Sequence, residues 1–152
     1  MCTAGALTVY TAGMNIDRNE LDRACLQLKA RLLVLFGSRA GGRLVPREES
    51  DVDVAIAFQR GVRPPPRHVV HDALSELFDA PLDLAFLAGA DPLFRWEIME
   101  RGVLLWGDED DFLEFRAFAY RDFVDSADLR RLEQRLFEKK MERMRQVIRA
   151  AS

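Results

Sequence analysis

The eight residues DVDVAIAF, positions 51–58, constrain this chain more than any other stretch. Side chains alternate along a strand, so residues two apart share a face. One face receives Val52, Val54, Ile56 and Phe58. The other receives Asp51, Asp53, Ala55 and Ala57, two carboxylates followed by two small residues that leave room beside the acids. The first is a core face. On the second, two acids need something to answer their charge. PLDLAFL, residues 81–87, repeats the arrangement, with Leu82, Leu84 and Phe86 on one face and Asp83 and Ala85 on the other. If these strands are neighbours, three carboxylates converge on one small space.

Crowded carboxylates raise one another's pKa values, and a divalent cation supplies the missing positive charge. Donors that are all oxygen favour Mg²⁺ or Mn²⁺. Two such ions bridged by shared carboxylates can hold an in-line phosphoryl or nucleotidyl transfer. An isolated Asp-x-Asp more often only blunts an exposed strand end or sheet edge. What shifts the balance is the upstream segment LFGS, residues 35–38. A glycine–serine turn after a strand presents backbone N–H groups and a hydroxyl to a phosphate, and Gly37 permits close backbone approach.

The remaining pattern is that of an α/β domain. Leu21, Cys25 and Leu28 recur at helical spacing over residues 19–30, and RLLVLF, 31–36, reads as a buried strand. Three consecutive prolines, 64–66, exclude helix and central strand. A helix of about three turns is expected over 68–80. Another is expected from Asp91 as N-cap and Pro92 at the first helical position to Gly102 as its stop. VLLWGD, 103–108, reads as a short strand or extended segment. From Glu109 the pattern is helical to the end, with a break near Ser126. The expected division is a core domain over 1–107 and a helical extension over 108–152.

A net charge of −3 argues against nucleic-acid binding through bulk electrostatics. The start lacks a basic n-region, and no apolar run approaches the roughly 18 residues of a membrane span. A cytoplasmic protein is the expectation. Cys2 and Cys25 form no metal-ligand spacing.

Gly37 and Ser38, then Asp51 and Asp53, then Asp83 on a later strand resemble the signature of the nucleotidyltransferase superfamily typified by DNA polymerase beta. GSRA and ESDVDVAIAF are similar in wording to its short subgroup, the minimal nucleotidyltransferases, which are MntA-type antitoxins of HEPN/MNT pairs. The resemblance covers about residues 20–107 and implies a mixed β-sheet flanked by helices, an α+β nucleotidyltransferase fold. Two features depart from the usual pattern: twelve residues separate Ser38 from Asp51, two more than usual, and Gly41–Gly42 stands where an arginine–glycine pair is common. The resemblance implies Mg²⁺-dependent transfer of AMP from ATP. In that scheme the Gly37–Ser38 turn holds the nucleotide's phosphates, with Arg39, or alternatively Arg43, as the substitute phosphate contact. Asp51, Asp53 and Asp83 bind metal, and Asp83 helps activate the acceptor. The implied acceptor is a tyrosine on a partner HEPN RNase toxin, as in type VII toxin–antitoxin pairs. The alternatives are a small-molecule nucleotidyltransferase of the aminoglycoside-modifying kind, and a non-catalytic antitoxin that neutralises by binding.

Other features carry less. Arg63 and His68 match the Arg-x4-His spacing of HEPN ribonucleases, but the intervening prolines forbid the helix such a site needs. His68 and His71 read as surface positions, and Trp96 and Trp106 as core or rim aromatics. Phe112, Phe115 and Phe118 form one apolar stripe, expected to pack on the sheet. Leu129, Leu132, Leu136, Phe137, Met141, Met144 and Ile148 form a second, suited to a partner.

Overall fold

In the computed structural model, residue 14 and residues 16–41 and 51–151 are described. The first dozen residues and Arg43 lie outside them. The first helix, α1 (Arg18–Gln27), starts where the Asp17 carboxylate accepts hydrogen bonds from the Asn19 and Glu20 amides at 2.8 and 3.2 Å. It ends three residues before the expected point. The chain reverses there through Lys29, whose φ of 53° is left-handed, to enter strand β1 (Ala30–Phe36). A single 3-10 turn, Gly37–Arg39, follows β1.

Strand β2 (Val52–Phe58) runs antiparallel to β1, and Asp51 lies just before it rather than within it. Helix α2 (Arg67–Ser75) starts directly after the prolines and carries the crossover to β3 (Leu82–Phe86), which is parallel to β2. It is shorter than expected because Leu77 and Phe78 turn back onto the carbonyls of Leu74 and Ser75, which buries the Phe78 ring. Helix α3 (Pro92–Arg101) has the expected cap: Asp91 accepts from the Leu93 amide at 2.9 Å, and Gly102 closes it. Strand β4 (Val103–Gly107) then pairs antiparallel with β1, giving the sheet order β3-β2-β1-β4. Helices α4 (Glu109–Asp125) and α5 (Ala127–Ala150) complete the chain, with the break at Ser126. This is a four-stranded mixed sheet flanked by helices with a helical C-terminus.

The sheet is buried on both faces. Leu33, Leu35, Val52, Val54, Ile56 and Leu84 pack under α1 and α2, with Cys25, Val70 and Leu74. Leu32, Val34, Ala55 and Ala57 pack under α3 and α4, against Ile98, Met99, Phe112 and Ala119. The room beside Ala55 and Ala57 is therefore taken by helices: small side chains let α3 and α4 approach closely. Only the end of that face that carries the acids stays uncovered enough to leave Asp83 exposed and Asp53 half-buried. The buried Arg95 ties this layer together. It donates to the carbonyls of Leu87, Ala88 and Ala90 at 2.7, 3.1 and 2.8 Å and to Asp122 at 2.5 Å. Four acceptors satisfy a guanidinium that would otherwise be costly to bury.

The two C-terminal helices differ. α4 contributes Phe112 and Ala119 to the core, while Phe118 of the same stripe stays exposed beneath the Arg95 guanidinium. α5 has no buried residue; Leu136 is 55% and Phe137 62% exposed. Among the described residues no helix is long and apolar enough to cross a membrane.

Candidate functional site

Three strand ends meet at one edge of the sheet: the end of β1 and the starts of β2 and β3. The pairing places Phe36 opposite Asp53 on one side and Asp83 directly opposite Asp53 on the other. Paired residues share a face, so Phe36, Asp53 and Asp83 line up across it. Asp51 lies one residue before β2, exposed, close enough that its charge acts on Asp53. The three sequence-predicted acids are thus brought together.

The Gly37–Arg39 turn closes on the same edge. Gly37 has a φ of +73°, and a Cβ there would overlap the Asp53 carboxylate. Glycine is required twice over, for the left-handed backbone and for the space. This puts the turn's backbone at Gly37 against the Asp53 carboxylate, with Ser38 next in the chain. Arg39 follows, and its charge reaches Asp53.

The electrostatics at Asp53 are those of a crowded acid. Burial, the Asp83 charge and the Asp51 charge, in that order, raise the Asp53 pKa above the usual carboxylate value. Arg39 pulls it down and is outweighed. The donor set is oxygen only, which suits a hard divalent cation. As the side chains stand, no group of three acids, histidines or cysteines among the described residues closes on a common metal position.

Next to the acids lies an aromatic pair. The Phe36 ring meets Phe94, at the start of α3, edge-on at 5.9 Å. Phe94 is 41% exposed. Neither ring was singled out in the sequence, because a phenylalanine ending a strand or starting a helix looks like any core residue there. Arg67 and His71 of α2 were also missed as more than surface positions; both side chains bond carbonyls of β3.

The other sequence features fall outside the site. Arg63 precedes the prolines while His68 lies within α2, so the two do not share a helix. Trp106 donates to Asp22 at 2.8 Å, and Trp96 packs against Tyr120 and Phe123 of α4. Cys25 is buried with its thiol pushed up to about 12, by desolvation first and by Asp22 second. It stays protonated and unreactive at physiological pH.

A carboxylate cluster beside a glycine–serine turn, at one end of a mixed sheet, is the arrangement expected of a nucleotidyltransferase. The chain belongs to the family described as "Polymerase beta, Nucleotidyltransferase", whose model matches residues 20–111. No curated protein matches it. Among solved structures, a toxin–antitoxin with AMP-PNP is similar, at 22% identity over 83% of this chain and 99% of that one, with a TM-score of 0.62. So is the toxin–antitoxin MntA–HepT, at 21% identity over 81% of this chain and 95% of that one, TM-score 0.56. A third is a tri-AMPylated Shewanella oneidensis HEPN toxin in complex with MNT antitoxin, at 21% identity over 81% and 94% of the two chains, TM-score 0.56. At these identities the likeness is one of fold.

Proposed function

We propose that this protein is the antitoxin of a type VII HEPN/MNT-like pair and acts by transferring AMP from ATP to a tyrosine of a HEPN RNase toxin. The observation that carries the reading is the juxtaposition of Asp51, Asp53 and Asp83 with a turn in which Gly37 has no room for a side chain. The solved complexes of similar fold, one with AMP-PNP and one with an AMPylated toxin, supply the nucleotide and the acceptor class.

In this reading the Gly37–Arg39 turn holds the β- and γ-phosphates, through backbone N–H groups, the Ser38 hydroxyl and the Arg39 charge. Asp51, Asp53 and Asp83 would hold Mg²⁺. When bound, the cation neutralises the acids and offsets charge building on the transferred phosphate. Asp83, the most open acid on the strands, orients the acceptor hydroxyl and takes its proton as the oxygen attacks the α-phosphate. Pyrophosphate leaves from the side held by the turn. The Phe36–Phe94 pair gives an apolar wall beside the acids, suited to an aromatic acceptor.

The helical extension over 108–152 is the partner-binding part, with α4 as its anchor on the sheet and α5 as the docking face. Leu129, Leu132, Leu136, Phe137 and Met144 are all exposed there. Methionine on such a stripe suits an adaptable interface. Cytoplasmic location follows from the proposed partner.

The test is intact-mass spectrometry of a candidate HEPN partner co-expressed with this chain. The expected result is a gain of one or more AMP masses, lost with Asp51→Asn. Neutralisation of the partner without any gain in mass would replace the catalytic reading with neutralisation by binding.

A further inference from the structure

Strand β3 carries Asp83 and is the weakest placed of the site's supports. It has five residues and lies at the edge of the sheet, with β2 as its strand neighbour. The neighbouring pair places Asp83 directly opposite Asp53, and like charges directly opposite push strands apart. Something must hold β3 in register against that repulsion.

The alternation of a parallel strand shows what does. Pro81 accepts from the Val52 amide at 2.8 Å, and Leu87 donates to the Ile56 carbonyl at 3.0 Å, so the odd-numbered residues direct their backbone groups at β2. The carbonyls of Leu82 and Leu84 therefore point outward, along the open edge. Both are taken by α2. His71 Nε2 donates to the Leu82 carbonyl at 3.1 Å, and the Arg67 guanidinium donates to the Leu84 carbonyl. Arg67 also lies over the Phe86 ring, 5.8 Å from its centre. The two bonds straddle Asp83, one on the residue before it and one on the residue after.

We propose that Arg67 and His71 are positioning residues for the transfer reaction, a side-chain clamp that bonds the outward carbonyls of β3 and fixes Asp83 against Asp53. The inference rests on the adenylyl-transfer reading above. α2 touches no substrate in this scheme, and its effect passes through β3. The clamp also occupies two outward carbonyls of β3, those of Leu82 and Leu84.

The test uses the full-length protein with its partner and four variants: Arg67→Ala, His71→Ala, and the conservative Arg67→Lys and His71→Gln. Three quantities are read: the single-turnover rate of AMP transfer, the affinity for a non-hydrolysable ATP analogue, and hydrogen exchange at the Asp83 and Ala85 amides. The alanine variants should transfer AMP about tenfold more slowly or worse, with analogue affinity within about threefold of wild type, because a small misplacement falls on the chemical step. The two amides should exchange faster in the alanine variants, and Lys and Gln should restore most of the rate. Alanine variants that transfer at the wild-type rate would overturn the clamp while leaving the adenylyl reading intact. Equal losses of rate and affinity, with no recovery by the conservative variants, would overturn it as well. A wild-type protein that transfers no AMP defeats the adenylyl reading, and this inference with it.

Discussion

The two ends of strand β1 handle acids in opposite ways. At its start, Arg31 donates to Asp111 at 2.6 Å and to Glu114 at 2.8 Å, and Arg60 reaches Glu114 at 3.3 Å. The hydrogen bond from Arg31 holds the Asp111 carboxyl below the usual carboxylate range. At its finish, about 20 Å away by strand rise, Asp51, Asp53 and Asp83 gather, and Asp53 is pushed up. One end has an arginine built in and secures α4 to the sheet. The other end concentrates negative charge that Arg39 only partly offsets at Asp53, an arrangement suited to a cation and a polyphosphate. The sign of the shift, more than the number of acids, separates the ion-paired cluster from the candidate site.

The comparison is broken most severely by exchanging the two ends' fates. Asp53→Asn should lower AMP transfer about a thousandfold, since losing a charged ligand removes several kcal/mol of transition-state stabilisation. Arg31→Met should leave the rate per folded molecule near wild type. Comparable losses of rate in the two variants would erase the distinction between the ends.

Thermal unfolding sharpens it. Arg31→Met should cost about 1 kcal/mol at pH 7, a modest figure because Asp111 and Glu114 are substantially exposed to solvent. The contribution has a definite pH dependence. Asp111 is depressed in the folded state, so its stabilisation is present above the ordinary carboxylate pKa and lost as the pH falls through the folded value. Asp53 is raised, so the opposite holds: its cost is absent at low pH and appears as the pH climbs through the folded value. At pH 7, Asp53→Asn should therefore melt above wild type, and Arg31→Met below it. Both differences should shrink on acidification into the carboxylate range. Melting curves at pH 7 and at acid pH, for both variants, check the signs.

The smallest effect on stability is expected at α5. Leu136→Asp should leave the melting temperature of the isolated protein nearly unchanged, because none of α5 is buried. It should weaken co-purification with the partner. A drop of the size that core truncations give, about 2–5 kcal/mol, would show that the stripe packs on the protein's own body.

The carboxylate end was legible in the sequence and the arginine end was not. Period-two alternation is a local signal, so Asp53 and Asp83 could each be put opposite the core face of its strand, while their meeting depended on the pairing of β2 with β3 and Asp51 falls just before β2. The cap at Asp91 and the stop at Gly102 were equally local. Arg31, by contrast, meets a residue 80 positions away, and nothing in RLLVLF marks its first residue as an ion-pair partner. Arg95 and the Arg67–His71 pair were hidden for a related reason: each acts on backbone carbonyls, which every sequence supplies and none advertises. The packing over Ala55 and Ala57 was misjudged because small residues leave space without saying whether a ligand or a helix fills it. The apolar stripe of α5 was visible and read as suited to a partner, and it is exposed, though periodicity describes a face and not what covers it.

The most direct test of the contrast between the two ends is the melting temperature of the wild type and of Asp53→Asn, with and without Mg²⁺ and a non-hydrolysable ATP analogue. Ligands that bind only the folded state raise its stability by mass action. The wild type should start below the variant and rise when the pair of ligands is added, while Asp53→Asn should start higher and respond little. A wild type indifferent to Mg²⁺ and nucleotide, or an Asp53→Asn variant that melts below it without ligand and gains as much on addition, would contradict the account.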